Sequence, residues 1–145
     1  MKNQKIKIAI GTDHRGYLHK KYIMTVLDTV AWIDVGSFNE EPSDYPLFAQ
    51  KVCQHIFDKS VTVGVLLCGT GVGMAITANR YKHIYAGVAW STEIAKFCKE
   101  DDNVNVLVLP ADYISLDASV AIIKSWQEAV FQEGHYARRI ALIDC

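Results

Sequence analysis

Five short runs rich in β-branched and aliphatic residues, at 5–11, 31–36, 61–67, 84–90 and 104–109, recur along the chain with helix-length segments between them. That alternation constrains the fold more than any other feature. Runs this apolar read as strands buried on both faces, and strands separated by helices join in parallel through right-handed crossovers. The spacing predicts an α/β, Rossmann-like, doubly wound five-stranded parallel sheet in the order 2-1-3-4-5, followed by C-terminal helices.

The intervening segments carry helical stripes. Leu18, Tyr22, Ile23, Val26 and Leu27 lie on one helix face, as do Ala49, Val52, Cys53 and Ile56 over 44–58. Ser43 and Asp44 ahead of Pro46 predict a capped start for the second of these. Over 115–132, Ile122, Trp126 and Val130 make a third stripe behind Ser115 as its cap.

A chain of 145 residues, half of them hydrophobic, suits one domain over 1–145 with a single sizeable core. Lys plus Arg numbers 15 against 16 for Asp plus Glu, a formal charge of -1. No basic block provides the field that nucleic acid or an anionic membrane surface would require, so neither partner is expected. The longest apolar run near the start is Ile8-Ala9-Ile10, too short for a signal core or a span, which points to a cytoplasmic protein. The four cysteines, at 53, 68, 98 and 145, show no Cys-x-x-Cys spacing and read as reduced thiols. Cys53, Cys98 and Cys145 suit a packing role.

In the predicted sheet, strands 1 and 3 are neighbours whose following helices diverge to opposite faces, and ligands bind at that switch point. Two segments should meet there: Thr12-Asp13-His14, and the Cys-Gly-Thr-Gly-Val-Gly run of 68–73. Gly69, Gly71 and Gly73 allow either a sterically tight strand-to-helix turn or a cradle of main-chain N–H groups for an anion. The run lacks the third glycine of a dinucleotide fingerprint, because Met74 occupies that place, and no Lys-Ser/Thr pair follows as in a P-loop. Met74 also stands where a cysteine phosphatase needs arginine. A cysteine beside converging amides remains a candidate base or nucleophile. Asp13 is either a helix cap or a ligand for hydroxyls, and His14 either a solvent-facing ring or a donor to phosphate. Tyr45 is a surface aromatic or a wall of the crevice, and Arg138 and Arg139 fit a solvated helix face.

Three separated stretches, Gly-Thr-Asp-His-Arg-Gly at 11–16, Ser-Asp-Tyr-Pro at 43–46 and Leu-Cys-Gly-Thr-Gly-Val-Gly-Met at 67–74, together resemble the ribose-5-phosphate isomerase type B family. That family also includes isomerases of six-carbon aldose phosphates. The likeness runs from residue 5 to about 143, and Asn79-Arg80 and Asn105-Val106-Leu107 fall where the family has similar residues. It implies an aldose–ketose isomerase acting on a sugar phosphate through an enediolate, without metal or organic cofactor. By the same resemblance Cys68 is the base, and Thr70 with the amides of Gly69, Gly71, Val72 and Gly73 holds the oxygens that become negative. Asp13 would bind sugar hydroxyls, Tyr45 would line the pocket, and His14 with Arg139 would hold phosphate.

The family's sites are shared between subunits, so a homodimer or a dimer of dimers is expected. Asp101 and Asp102 precede strand 5, at the opposite end of the sheet from Cys68, and would reach the site from a neighbouring subunit. The family pattern His-Asn-Asp-x-Asn reads Asp101-Asp102-Asn103-Val104-Asn105 here, so an acid replaces the ring-opening histidine. Asp112 and His135 stand where the family usually has arginines. The resemblance fits a ribose 5-phosphate isomerase, an isomerase of a six-carbon aldose 6-phosphate (allose or galactose type), or a sugar-phosphate-binding module without turnover.

Overall fold

Apolar residues that alternate along a strand set which layer of helices it meets, and here the alternation sorts the core into two halves. A computed structural model describes residues 4–144, and Cys145 lies outside the described residues. The strands are β1 (Lys7–Thr12), β2 (Ala31–Asp34), β3 (Gly64–Cys68), β4 (Ala86–Val88) and β5 (Val106–Pro110). The helices are α1 (Tyr17–Val26), α2 (Tyr45–Phe57), α3 (Val72–Ala78), α4 (Thr92–Glu100), α5 (Leu116–Glu128) and α6 (His135–Ala141). Ile8, Ile10, Val65, Leu67, Leu107 and Leu109 pack with α1, α4 and α5 through Ile23, Ala95, Ile122, Ile123 and Trp126. Their strand neighbours Ala9, Leu66, Cys68, Val106 and Val108 pack on the other face against Val52, Cys53, Met74 and Ala78 of α2 and α3.

All strand pairings are parallel, and the order is β2-β1-β3-β5-β4. The predicted five-stranded parallel architecture holds, but the order 2-1-3-4-5 is corrected: the last two strands exchange places. Burial supplies the reason. Val106, Leu107, Val108 and Leu109 are fully inaccessible, and each such side chain gains about 1.5–3 kcal/mol from leaving water. A Val-Leu-Val-Leu run belongs between two neighbours, whereas Ala86-Gly87-Val88 is short, only half-buried and suited to an edge.

That edge is finished by a side-chain amide. The Ala86 N–H donates to Asn79 Oδ1 at 2.8 Å, and Asn79 Nδ2 donates back to the Ala86 carbonyl at 2.9 Å. Asn105, just ahead of β5, extends the β4–β5 seam on the inner side, accepting from Tyr85 N at 2.8 Å and donating to the His83 carbonyl at 2.9 Å.

At the far edge, the fully buried Lys20 of α1 anchors the turn that follows β2. Its ammonium donates to Asp34 Oδ1 at 2.6 Å and to the Ser37 carbonyl at 2.5 Å, and lies 4.9 Å from the Phe38 ring centroid. The same turn pairs with the end of β1 in both directions, Thr12 N to Gly36 O at 2.8 Å and Ser37 N to Thr12 O at 2.7 Å.

Two local expectations change. The predicted caps of α2 do not form: Asp44 occupies the cap position without a side-chain hydrogen bond, and the Ser43 hydroxyl is engaged elsewhere. Ser115 does cap α5, accepting from Ala118 N at 3.0 Å, but that helix ends at Glu128, so Val130 lies beyond it and is exposed. No helix among the described residues is long and apolar enough to cross a membrane.

Candidate active site

Register brings the two predicted segments together. Thr12 pairs with Leu67, so Asp13, just past β1, and Cys68, the last residue of β3, both follow paired residues at the carboxyl end of the sheet. Because α1 and α3 leave toward opposite faces, the gap between them opens beside these two residues.

Cys68 ends β3 nearly buried, and its Sγ accepts a hydrogen bond from the Gly71 N–H at 3.2 Å. Gly71 turns the chain with φ +78°, a left-handed conformation that a side chain disfavours, and a Cβ there would press the Val88 and Val108 methyls at 3.1 and 3.2 Å. Both features are needed for the amide to swing back onto the sulfur. Thr70 is exposed at the tip of the turn, with its Oγ1 accepting from Val72 N at 3.3 Å.

The first crossover supplies the other wall. Asp13 is nearly buried, and its Oδ1 accepts from Arg15 N at 3.0 Å, capping a short 3-10 turn, His14–Gly16. His14 and Ser43 are bonded twice: His14 N donates to Ser43 Oγ at 3.1 Å, and Ser43 N donates to His14 Nδ1 at 3.2 Å. A ring that accepts at Nδ1 carries its proton on Nε2, so the remaining His14 N–H is a donor at Nε2. Ser43 thus orients this histidine and does not cap α2, a role that sequence spacing alone does not reveal.

Tyr45, at the start of α2, covers the last glycine of the loop. A Cβ on Gly73 would fall 2.6 Å from Tyr45 Cε2 and Cζ, so this glycine permits the ring to lie on the loop. Arg15 covers the first glycine in the same manner. Its guanidinium rests where a Cβ on Gly69 would be, and it forms an ion pair with Asp112, whose own N–H donates to the Gly69 carbonyl at 3.0 Å. The sequence offers no local sign of Arg15's position, because Asp112 and Gly69 are remote along the chain.

The remaining predicted residues lie elsewhere on the chain. Asp101 ends α4, and exposed Asp102 lines a cavity of about 590 Å³ with Arg80, Tyr85, Cys98 and Val104. This is the amino end of β5, while Cys68 pairs with Pro110 at its carboxyl end, four residues or roughly 13 Å of strand away. His135 and Arg139 are exposed on α6, His135 against Tyr136 at 4.1 Å between centroids and Arg139 5.8 Å from the same ring. The segment after α6 is tied to the amino end of β4 through Asp144, which contacts Tyr85 and His83.

Of the other described thiols, Cys53 is buried and Cys98 half-buried, and both are packing groups. Burial pushes Cys53 up to about 11, and burial with the nearby Asp102 carboxylate does the same for Cys98. No group of three His, Cys, Asp or Glu side chains among the described residues is arranged to hold a metal ion.

Comparison with known proteins gives the family and the fold. Residues 8–143 match the family model described as Ribose/Galactose Isomerase. Ribose-5-phosphate isomerase B of Escherichia coli is 33% identical over 139 residues, covering 94% of this chain and 93% of that protein. The crystal structure of a ribose 5-phosphate isomerase from Thermotoga maritima superposes with a TM-score of 0.94 at 36% identity, over 97% of this chain and 99% of that one. Ribose-5-phosphate isomerase B from Mycoplasma genitalium, solved with bound ribulose-5-phosphate, gives 0.91 at 32% identity over 97% and 95%.

Proposed function

The chain belongs to the ribose/galactose isomerase family, and from that premise we propose that it interconverts D-ribose 5-phosphate and D-ribulose 5-phosphate with Cys68 as the base. The observation that carries this reading is that Asp13 and Cys68 directly follow the paired residues Thr12 and Leu67 of adjacent strands, with the Gly71 N–H on the Cys68 sulfur.

In the forward direction the Cys68 thiolate takes the proton from C2 of the open-chain aldose. The electron pair moves into a C1–C2 double bond, and the C1 oxygen becomes the negative oxygen of an enediolate. The C2 hydroxyl proton passes to the C1 oxygen, the C2 oxygen becomes a carbonyl, and the proton held on Cys68 is delivered to C1, so no electrons leave the sugar and no cofactor is consumed. Amides of Gly69, Gly71, Val72 and Gly73 with Thr70 hold the oxygens where charge develops. Asp13 accepts from sugar hydroxyls, Tyr45 walls the opening, and the Nε2 N–H of His14 meets the phosphate.

Asp101, Asp102, His135 and Arg139 reach this opening from a neighbouring subunit in a homodimer or a dimer of dimers. Support comes from the roughly 13 Å of β5 between Cys68 and the strand end that Asp101 and Asp102 precede, and from Val72 and Ile76, each more than half exposed on α3 beside the loop.

The test is proton exchange at C2 of ribose 5-phosphate in heavy water, followed by NMR, with allose 6-phosphate as the six-carbon comparison. We expect exchange with the pentose phosphate, lost by about three orders of magnitude or more in Cys68→Ala. Undiminished exchange in that variant removes the thiol from the mechanism. Ligand protection against melting without exchange identifies a binding module.

A further inference from the structure

We propose that Arg15 is a phosphate-binding residue of this site, held over the loop by Asp112. The inference rests on the isomerase reading above. The Arg15 guanidinium rests over Gly69, the residue after Cys68, and is paired with Asp112, while the Arg15 main-chain N–H is held by Asp13. Asp112 also donates its N–H to the Gly69 carbonyl at 3.0 Å, so a single residue fixes both the arginine and the loop beneath it.

The alternative is that Arg15 and Asp112 form a simple latch between the first and last crossovers. Exposure argues against that being the whole of its use. The Arg15 side chain is 50% accessible and that of Asp112 35%, and ion pairs this open contribute little to stability. An arginine has five N–H donors in a rigid fork, and one carboxylate occupies at most two of them. The rest remain available above Gly69, next to the loop that Cys68 begins. The fork geometry suits the oxygens of a phosphate, and the pairing with Asp112 fixes its orientation before substrate arrives.

The experiment measures KM and kcat for ribose 5-phosphate, the inhibition constant of inorganic phosphate, and thermal midpoints for wild type, Arg15→Ala and Arg15→Lys. Arg15→Ala should raise KM and the inhibition constant together by about 10-fold or more, with kcat within about 3-fold and the midpoint within a few degrees. Arg15→Lys should recover part of both, since it restores charge without the fork. An unchanged inhibition constant in Arg15→Ala overturns the proposal, as does a fall in kcat with KM and the inhibition constant intact, which is the mark of a latch. If wild type fails to isomerise ribose 5-phosphate, the parent reading fails on its own. Protection by inorganic phosphate against thermal unfolding, present in wild type and lost in Arg15→Ala, then still decides the role of Arg15.

Discussion

Lys20→Met tests whether a buried ammonium holds the turn beside the site. Methionine keeps most of the volume, so the cavity contribution is small and the change isolates the charge. Breaking a buried ion pair by deleting one partner costs about 3–5 kcal/mol. Two features of the structure move that figure. The Asp34 side chain is 25% exposed and keeps the Gly36 N–H at 2.9 Å, so water and that bond compensate part of its loss. Ser37 is buried and its carbonyl loses a short contact with no solvent to replace it, worth roughly 1–3 kcal/mol. The sum is about 3 kcal/mol, or a fall of about 6–12 °C in the thermal midpoint for a chain of this size. Circular dichroism melts and urea titrations of the two proteins give the number. Because the 36–37 turn pairs with Thr12, the residue before Asp13, KM for the sugar phosphate should rise as well. A midpoint within about 2 °C of wild type would refute the view that Lys20 secures this turn.

Gly73→Ala forces the Tyr45 ring off the loop, since the new methyl would lie 2.6 Å from two ring carbons. The ring is partly exposed and free to swing, so stability should change by less than about 1 kcal/mol while KM rises several-fold in steady-state assays. The Cys53 thiol provides a pH test. Its folded-state value of about 11 lies above the ordinary 9, so between those values the unfolded chain has released a proton that the folded chain retains. Stability therefore falls as pH rises from about 9 to 11, by up to about 2–3 kcal/mol from this one group. Cys53→Ala should flatten that decline in urea midpoints compared at pH 8 and 10.5, and an equal decline in both proteins refutes it.

Strand count, parallel sense and the meeting of the 11–16 and 67–74 stretches are legible in the sequence because each follows from local periodicity and a rule about crossovers. The exchange of β4 and β5 is not, since neighbours in sequence are the default neighbours in space. The clue lies in comparing Val106–Pro110 with the weaker Ala86–Val88: the more apolar run takes the interior. Asp112 is readable from the chain only as an acid where the family has a base. Its partnership with Arg15 depends on two crossovers meeting above Gly69, which no local signal encodes. Ser43 misleads for a similar reason, as a hydroxyl two residues ahead of a helix suits a cap and equally suits a histidine from another crossover.

Asn79 gives the sheet a boundary that the strand itself lacks. By satisfying both main-chain groups of Ala86, its carboxamide imitates one residue of an absent sixth strand. A visiting chain that sought to extend the sheet here would have to evict that side chain before gaining any ladder bond. Templated stacking through this margin is thereby discouraged, and the sheet ends in a side chain that no ladder bond can form without displacing.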